Sequence, residues 1–141
     1  MNDFTIDIER KLNRFGKDLR QAVERIVPLE DRGHDFRPGC DILESDEEYK
    51  IILDLPGLAK KDINISLKDY VLTVKGERVS DREESEVYRR HERSTGIFSR
   101  SFALPQNVVT EDLKAHHRNG TLAVSMPKTG EHKDSTNIPI S

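Results

Sequence analysis

The sequence is poor in the residues that usually anchor a catalytic site, a cofactor or a disulfide framework. It has no tryptophan, two methionines and one cysteine among 141 residues. A lone thiol, Cys40, excludes an internal disulfide and fits a reducing compartment. No long apolar run is present. The first residues, MNDFTIDIERK, interleave acids and bases with apolar side chains. That reads as neither a secretory signal nor a membrane span, so the expected location is the cytoplasm, without stable membrane association. There is no G-x-x-x-x-G-K-[ST] loop and no G-x-G-x-x-G turn, hence no indicated nucleotide site. No nucleophile elbow or triad signature appears, and Cys40 has no catalytic partner motif. The five histidines are scattered. His116 and His117, being adjacent, would point to opposite faces of a strand and do not suit one metal. The sequons at Asn64 and Asn119 read as chance matches. With 23 basic and 26 acidic residues the formal charge is −3. Signs are mixed along the chain, so charge gives no argument for nucleic-acid binding. Neither an enzyme nor a cofactor is expected.

What the chain does have is pattern. Charged residues make up 35% and hydrophobic ones 34%, enough for one modest core but not for a fully disordered chain. In residues 1–37, Phe4, Ile8, Leu12, Phe15, Leu19, Ala22 and Ile26 recur every three or four positions with charges between. This predicts a helical arm, capped near Asn2 or Asp3 and stopped at Pro28. Asp31–Pro38 reads as a polar connector. In residues 38–127 the period drops to two. Tyr49–Leu55, Ile63–Leu67, Val71–Lys75, Ile97–Leu104, Leu113–His117 and Thr121–Met126 are the candidate strands. Turn signals separate them at Pro56-Gly57, Lys68-Asp69, Gly76, Pro105 and Asn119-Gly120. The Asn-Gly pair is the strongest hairpin signal, since a type I′ turn needs φ > 0 twice. Short antiparallel strands at this spacing predict an all-β sandwich. Residues 128–141 form a polar tail with one apolar element, Ile138-Pro139-Ile140.

Four constellations carry the functional reading. In an extended tail Ile138 and Ile140 point the same way, and Pro139 favours that form, so the tripeptide is a two-pronged peg for an apolar groove. The alternative is a tail that packs on its own domain or stays free. Arg100 shares a strand face with Phe98, Phe102 and Leu104. A guanidinium there either finds a carboxylate, at an interface if need be, or snorkels to water from a bulge or strand end. The segment Lys75–Arg93 mixes acids and bases in equal measure, with only Val79, Val87 and Tyr88 apolar. It is a long excursion from the sandwich, with one strand near Val87–His91 that needs a partner. The arm's stripe suits core packing, a membrane-surface helix or a binding surface. Its mixed polar face weakens the membrane option.

These residues together resemble the small heat-shock protein (α-crystallin/Hsp20) family, in its bacterial form. The resemblance rests on Asp54-Leu55-Pro56-Gly57, Val71-Leu72-Thr73-Val74-Lys75-Gly76-Glu77-Arg78, Glu92-Arg93-Ser94-Thr95-Gly96, Phe98-Ser99-Arg100-Ser101-Phe102-Ala103-Leu104-Pro105, Asn119-Gly120-Thr121-Leu122-Ala123-Val124 and the Ile-x-Ile tail. Tyr70 departs from it, standing in a turn where members often carry a smaller residue. The resemblance implies an immunoglobulin-like α-crystallin β-sandwich, and a groove between two edge strands that takes the tail. Ile63, Ile65, Leu67, Leu113 and Ala115 are the groove residues it marks here, although period two alone does not say which of them face the core. It implies dimers formed by strand exchange, with Val87, Tyr88, Arg89 and Arg90 meeting a partner's strand near Cys40 and Ile42. Arg100 would pair with an acid across that dimer. Dimers would join through tails into larger homo-oligomers. Phe4, Ile8, Leu12, Phe15 and Leu19 would bind unfolding client proteins without ATP, with ATP-driven chaperones refolding them later. The rival readings are a monomeric sandwich-type adaptor or co-chaperone docking on a larger chaperone, and an enzyme or metal protein on the same fold.

Overall fold

A computed structural model describes residues 24–29 and 34–129. Among these residues, eight strands form two antiparallel four-stranded sheets. In chain order they are β1 (Val27–Leu29), β2 (Cys40–Glu44), β3 (Glu48–Asp54), β4 (Ile63–Lys68), β5 (Val71–Arg78), β6 (Gly96–Ala103), β7 (Lys114–Arg118) and β8 (Thr121–Pro127). One sheet runs β1-β6-β5-β4, the other β2-β3-β8-β7. This is the expected sandwich.

The core follows from alternation. In β3, Tyr49, Ile51 and Leu53 are buried while their neighbours are not. They stand opposite Met126, Val124 and Leu122 of β8. In the other sheet Leu72 faces Phe102, and Val74 faces Arg100. Residues directly opposite across a ladder share a face, so these pairs turn toward the second sheet. Leu72, Val74, Phe98, Phe102, Ile51, Leu53 and Val124 have no exposed surface. Burying such side chains contributes roughly 1.5–3 kcal/mol each before entropy is charged against it.

Turn chemistry matches the hairpins. Asn119 and Gly120 take φ of 52° and 77° between β7 and β8. Asp69 and Tyr70 take 52° and 62° between β4 and β5. Both are two-residue turns with φ > 0 twice, matching the right-handed strand twist. Between β2 and β3, the Ser45 hydroxyl accepts from the backbone N–H groups of Glu47 (3.3 Å) and Glu48 (3.1 Å), the local bonding that makes serine a turn residue.

Two sequence expectations are corrected. Ile26 and Pro28 do not belong to a helix or its stop. Val27–Leu29 is an edge strand on β6, with Pro28 opposite Phe102. Proline is tolerated there because an edge strand leaves alternate N–H groups unpaired. Ile26 is buried in the core cluster. Gly76 is not a turn but lies inside β5, opposite Phe98. A Cβ at that position would stand 2.3 Å from the Asp62 carbonyl and 2.9 Å from the Phe98 ring, so the glycine marks a close approach. Within one chain residues 87–91 form no strand. The expectation pairs that segment with another subunit's edge, which a single chain does not supply.

Candidate functional site

Among the described residues, each sheet ends in strands whose outer backbone groups have no partner strand. In β4, Ile63, Ile65 and Leu67 are half-buried and alternate with exposed Asn64, Ser66 and Lys68. Ile65 and Leu67 stand opposite the core residues Val74 and Leu72. The apolar side of this edge therefore faces inward and is only partly covered. In β7, Ala115 and His117 stand opposite Val124 and Leu122, so they share the inward face. Ala115 is exposed even so, and Leu113, just before the strand, is half-buried. Ile63, Ile65, Leu67 and Leu113 all pack against the core cluster. His117 places Nε2 3.3 Å from the Leu55 carbonyl oxygen. Thus the faces that alternation left open are assigned: all five groove candidates lie on, or beside, inward-facing edge positions.

Arg100, in the middle of β6, is only 5% exposed, which removes the option of snorkelling to water. Its Nη1 donates to the Pro38 carbonyl at 2.7 Å, and its guanidinium carbon lies 5.3 Å from the Phe102 ring centroid. Its buried Nε has no hydrogen-bond partner, and no carboxylate is paired with it among the described residues. A guanidinium so held is under-satisfied. One neutral acceptor and a ring face replace only part of its hydration. Sequence reasoning gave no sign of the Pro38 carbonyl, because a backbone acceptor leaves no residue signature.

The two halves of the expected exchange surface are both exposed and lie apart. On the β2 edge, Ile42 and Leu43 are 36% and 47% exposed, and Cys40 is half-buried opposite Leu53. In the long β5–β6 connection, Val87 is 77% exposed and Tyr88 42%, with Arg89 and Arg90 also exposed. This connection is held by contacts within itself. Tyr88 bonds the Ser80 hydroxyl and stacks on His91 at 4.1 Å. Arg82 donates to the Glu86 carbonyl at 2.7 Å, and Glu83 N–H to the Glu86 carboxylate at 2.8 Å. At its base the Asp35 carboxylate accepts from Ile97 N–H at 2.6 Å.

A further contact escaped the sequence. Lys128, in the residues read as tail, donates to Glu44 at 2.7 Å and lies 5.0 Å over the Tyr49 ring. Val108 and Lys128 form a β-bridge, so the domain's hydrogen bonding runs past Pro127. The hydrogen bond that Lys128 donates to the Glu44 carboxylate holds the Lys128 pKa above the ordinary lysine value. The peg Ile138, Pro139, Ile140 and the stripe Phe4, Ile8, Leu12, Phe15 and Leu19 lie outside the described residues. Among the described residues no three or more His, Cys, Asp or Glu side chains are placed to hold a metal, and no helix is long and apolar enough to cross a membrane.

Comparison with known proteins points one way. Residues 41–141 match the model of the Hsp20/alpha crystallin family. The chain is 37% identical over 97 residues to the small heat shock protein C2 of Rickettsia felis, covering 68% of this chain and 63% of that protein. It is 41% identical over 95 residues to the 17.4 kDa class I heat shock protein of Arabidopsis thaliana, covering 66% of this chain and 61% of that protein. The aligned region thus spans about three-fifths of these relatives. Among solved structures, a small heat-shock protein from Xylella fastidiosa, described as having a distinct high order structure, superposes with a TM-score of 0.66 at 30% identity. That match covers 76% of this chain and 96% of the other.

Proposed function

The chain belongs to the Hsp20/alpha crystallin family, and from that premise we propose that it is an ATP-independent holdase, binding partly unfolded proteins through apolar surfaces and keeping them from aggregating. The observation that carries this reading is the pair of edges β4 and β7, unpaired on their outer side among the described residues, where Ile63, Ile65, Leu67 and Leu113 are half-covered and Ala115 is exposed. An exposed edge with an apolar side is a template for another chain. In this reading the tail of one subunit sets Ile138 and Ile140 into the edge of another, against Ile63, Ile65, Leu67, Leu113 and Ala115. Two isoleucines supply about 3–6 kcal/mol gross, and ordering the tail removes part of it. Each link is therefore reversible, and many links together hold an assembly. Dimers form when Val87–Arg90 of one subunit reaches the β2 edge of its partner, near Cys40 and Ile42. Client segments bind the arm residues Phe4, Ile8, Leu12, Phe15 and Leu19. Because binding is to unfolded states, it shifts equilibria by mass action and consumes no nucleotide. Refolding falls to ATP-driven chaperones, in the cytoplasm.

The test is light scattering from a heat-labile client, without ATP, with the full chain and with Ile138→Ser/Ile140→Ser. The full chain suppresses aggregation near stoichiometric ratio. The double variant runs as a much smaller species on size-exclusion chromatography with mass detection. No protection by the full chain defeats the holdase reading. A monomeric full chain favours the adaptor instead.

A further inference from the structure

The neck of the β5–β6 connection holds two guanidinium groups that are incompletely bonded. Arg78 is the last residue of β5, and Arg93 stands just before β6 begins at Gly96. Their side chains converge on the Pro56-Gly57 turn. A Cβ built on Gly57 would lie 3.8 Å from Arg93 Nη2 and 3.9 Å from Arg78 Nε. The two nitrogens are thus no more than about 8 Å apart, the span that two hydrogen bonds of about 2.9 Å and one small oxyanion cover. Gly57 takes φ of 81°, a conformation that favours glycine, so the turn puts no side chain between them. Arg78 is fixed in place. Its Nη1 donates to the Ser94 carbonyl at 3.0 Å, and its guanidinium carbon lies 4.8 Å from the Phe36 ring centroid. Its Nε is buried and has no hydrogen-bond partner. No carboxylate pairs with it among the described residues. Arg93 meets Asp81 through Nη1 at 3.4 Å, the two side chains being 72% and 85% exposed, and such a surface pair is worth little. Its Nη2, the nitrogen beside Gly57, lies outside that pair.

We propose that Arg78 and Arg93 bind a phosphate group over Gly57, as inorganic phosphate or as the terminal phosphate of a small metabolite. Two cations held this close repel each other. An anion between them removes the repulsion and gives the buried Nε its missing acceptor. A planar guanidinium with an unused edge matches the oxygens of such an anion. The arrangement favours phosphate over a carboxylate. A carboxylate carries two oxygens on one carbon, enough for one guanidinium fork. The donors here come from two separate segments of the chain, and a tetrahedral phosphate offers oxygens to both at once. Arg93 forms the exposed side of the site, so the ligand enters there from solvent. Once bound, it ties the end of β5 to the residues that lead into β6, and the neck of the connection closes.

Isothermal titration calorimetry of the full chain with sodium phosphate, at ionic strength fixed by chloride, tests the site. A parallel titration with glycerol 3-phosphate tells a phosphomonoester from the free ion, and sodium acetate serves as the carboxylate arm. Saturable binding of either phosphate is expected, with acetate weaker by roughly tenfold or more. Arg93→Gln, at an exposed position, and Arg78→Lys, which keeps the charge and loses the fork, should each weaken binding roughly tenfold or more, the loss of one charged hydrogen bond. Arg118→Gln, an equal change of charge at an exposed position in β7, should leave it unaltered. Absence of saturable phosphate binding overturns the proposal. An equal loss in Arg118→Gln also overturns it, since the attraction is then one of general charge. Acetate binding as tightly as phosphate overturns it too, and assigns the two arginines to an acidic side chain of another polypeptide. A ligand of the folded state raises its stability. Phosphate should therefore raise the melting temperature of the parent above that in chloride at equal ionic strength, and not that of Arg93→Gln. Equal rises in both count against the site.

Discussion

At the scale of single residues, Arg100 is the side chain whose surroundings are least complete. Among the described residues, a hydrogen bond to the Pro38 carbonyl and a contact with Phe102 hold a charge that has almost no contact with water. Removing such a charge while keeping its volume is often neutral or stabilising for a fold. Arg100→Met is therefore expected to unfold in denaturant within about 1–2 kcal/mol of the parent, the cost being the stranded carbonyl. If a partner's carboxylate completes the site, the same variant shows an altered assembly mass in light scattering. An unchanged mass argues that Arg100 serves only its own subunit. Lys128 makes the opposite case, a cation with its acid in place. Its pKa is raised, first by the hydrogen bond it donates to the Glu44 carboxylate, while desolvation opposes this. A lysine pKa raised on folding stabilises the fold fully below the unfolded value of 10.5, and that contribution is lost as pH climbs through the folded value. Glu44→Gln should move the Lys128 titration, followed by NMR of its side chain, down toward the ordinary lysine value, and a pKa that stays put would assign the shift to other groups.

At the scale of elements, the two tight hairpins make a natural comparison. β7–β8 turns on Asn119-Gly120, β4–β5 on Asp69-Tyr70, and all four residues sit at positive φ. Left-handed backbone costs an ordinary L-residue about 1–2 kcal/mol and glycine almost nothing. Tyr70 is 39% exposed, so it recovers only part of that through packing. Asp69→Asn/Tyr70→Gly is expected to raise unfolding free energy by about 1 kcal/mol, measured as a shift in urea midpoint at constant slope. A loss of stability would show that the Tyr70 ring is worth more than the strain. These hairpins also show what was legible in the sequence. Period two located β3, β4 and β8, whose burial alternates along the strand, whereas β5 and β6, buried on both faces over most of their length, and the short β7 were found as apolar or mixed runs between turn signals. β1 was not legible. It has three residues, too few to show a period, and Pro28 inside it is a signal against strands. Gly76 read as punctuation because the pressure that fixes it, the Phe98 ring and the Asp62 carbonyl, comes from other elements. The groove candidates were legible as apolar positions and not as faces. Only the ladder partners Val74, Leu72 and Val124 orient Ile65, Leu67 and Ala115.

At the scale of the whole molecule, the fold satisfies its core and leaves its margins unsatisfied. Among the described residues seventeen hydrophobic side chains are buried, while Ile42, Leu43, Val87 and Tyr88 stay exposed, the β4 edge keeps its apolar side chains half-covered, and Ala115 in β7 is exposed. Isolated, such margins promote aggregation. In the proposed reading, sister chains occupy them as joints, each weak enough to open. A collection of weak joints responds steeply to conditions because losing one subunit removes several links at once. Dilution and warming should therefore lower assembly mass over a narrow range, in contrast to the sandwich, whose unfolding should follow at a distinctly higher temperature. Native mass spectrometry across a dilution and temperature series, with calorimetry on the same samples, checks this. Client protection, assayed in parallel without ATP, should rise over the interval in which assemblies come apart and fall once the sandwich melts. If protection instead tracks melting of the sandwich alone, the joints have no part in capture, and the margins serve assembly only.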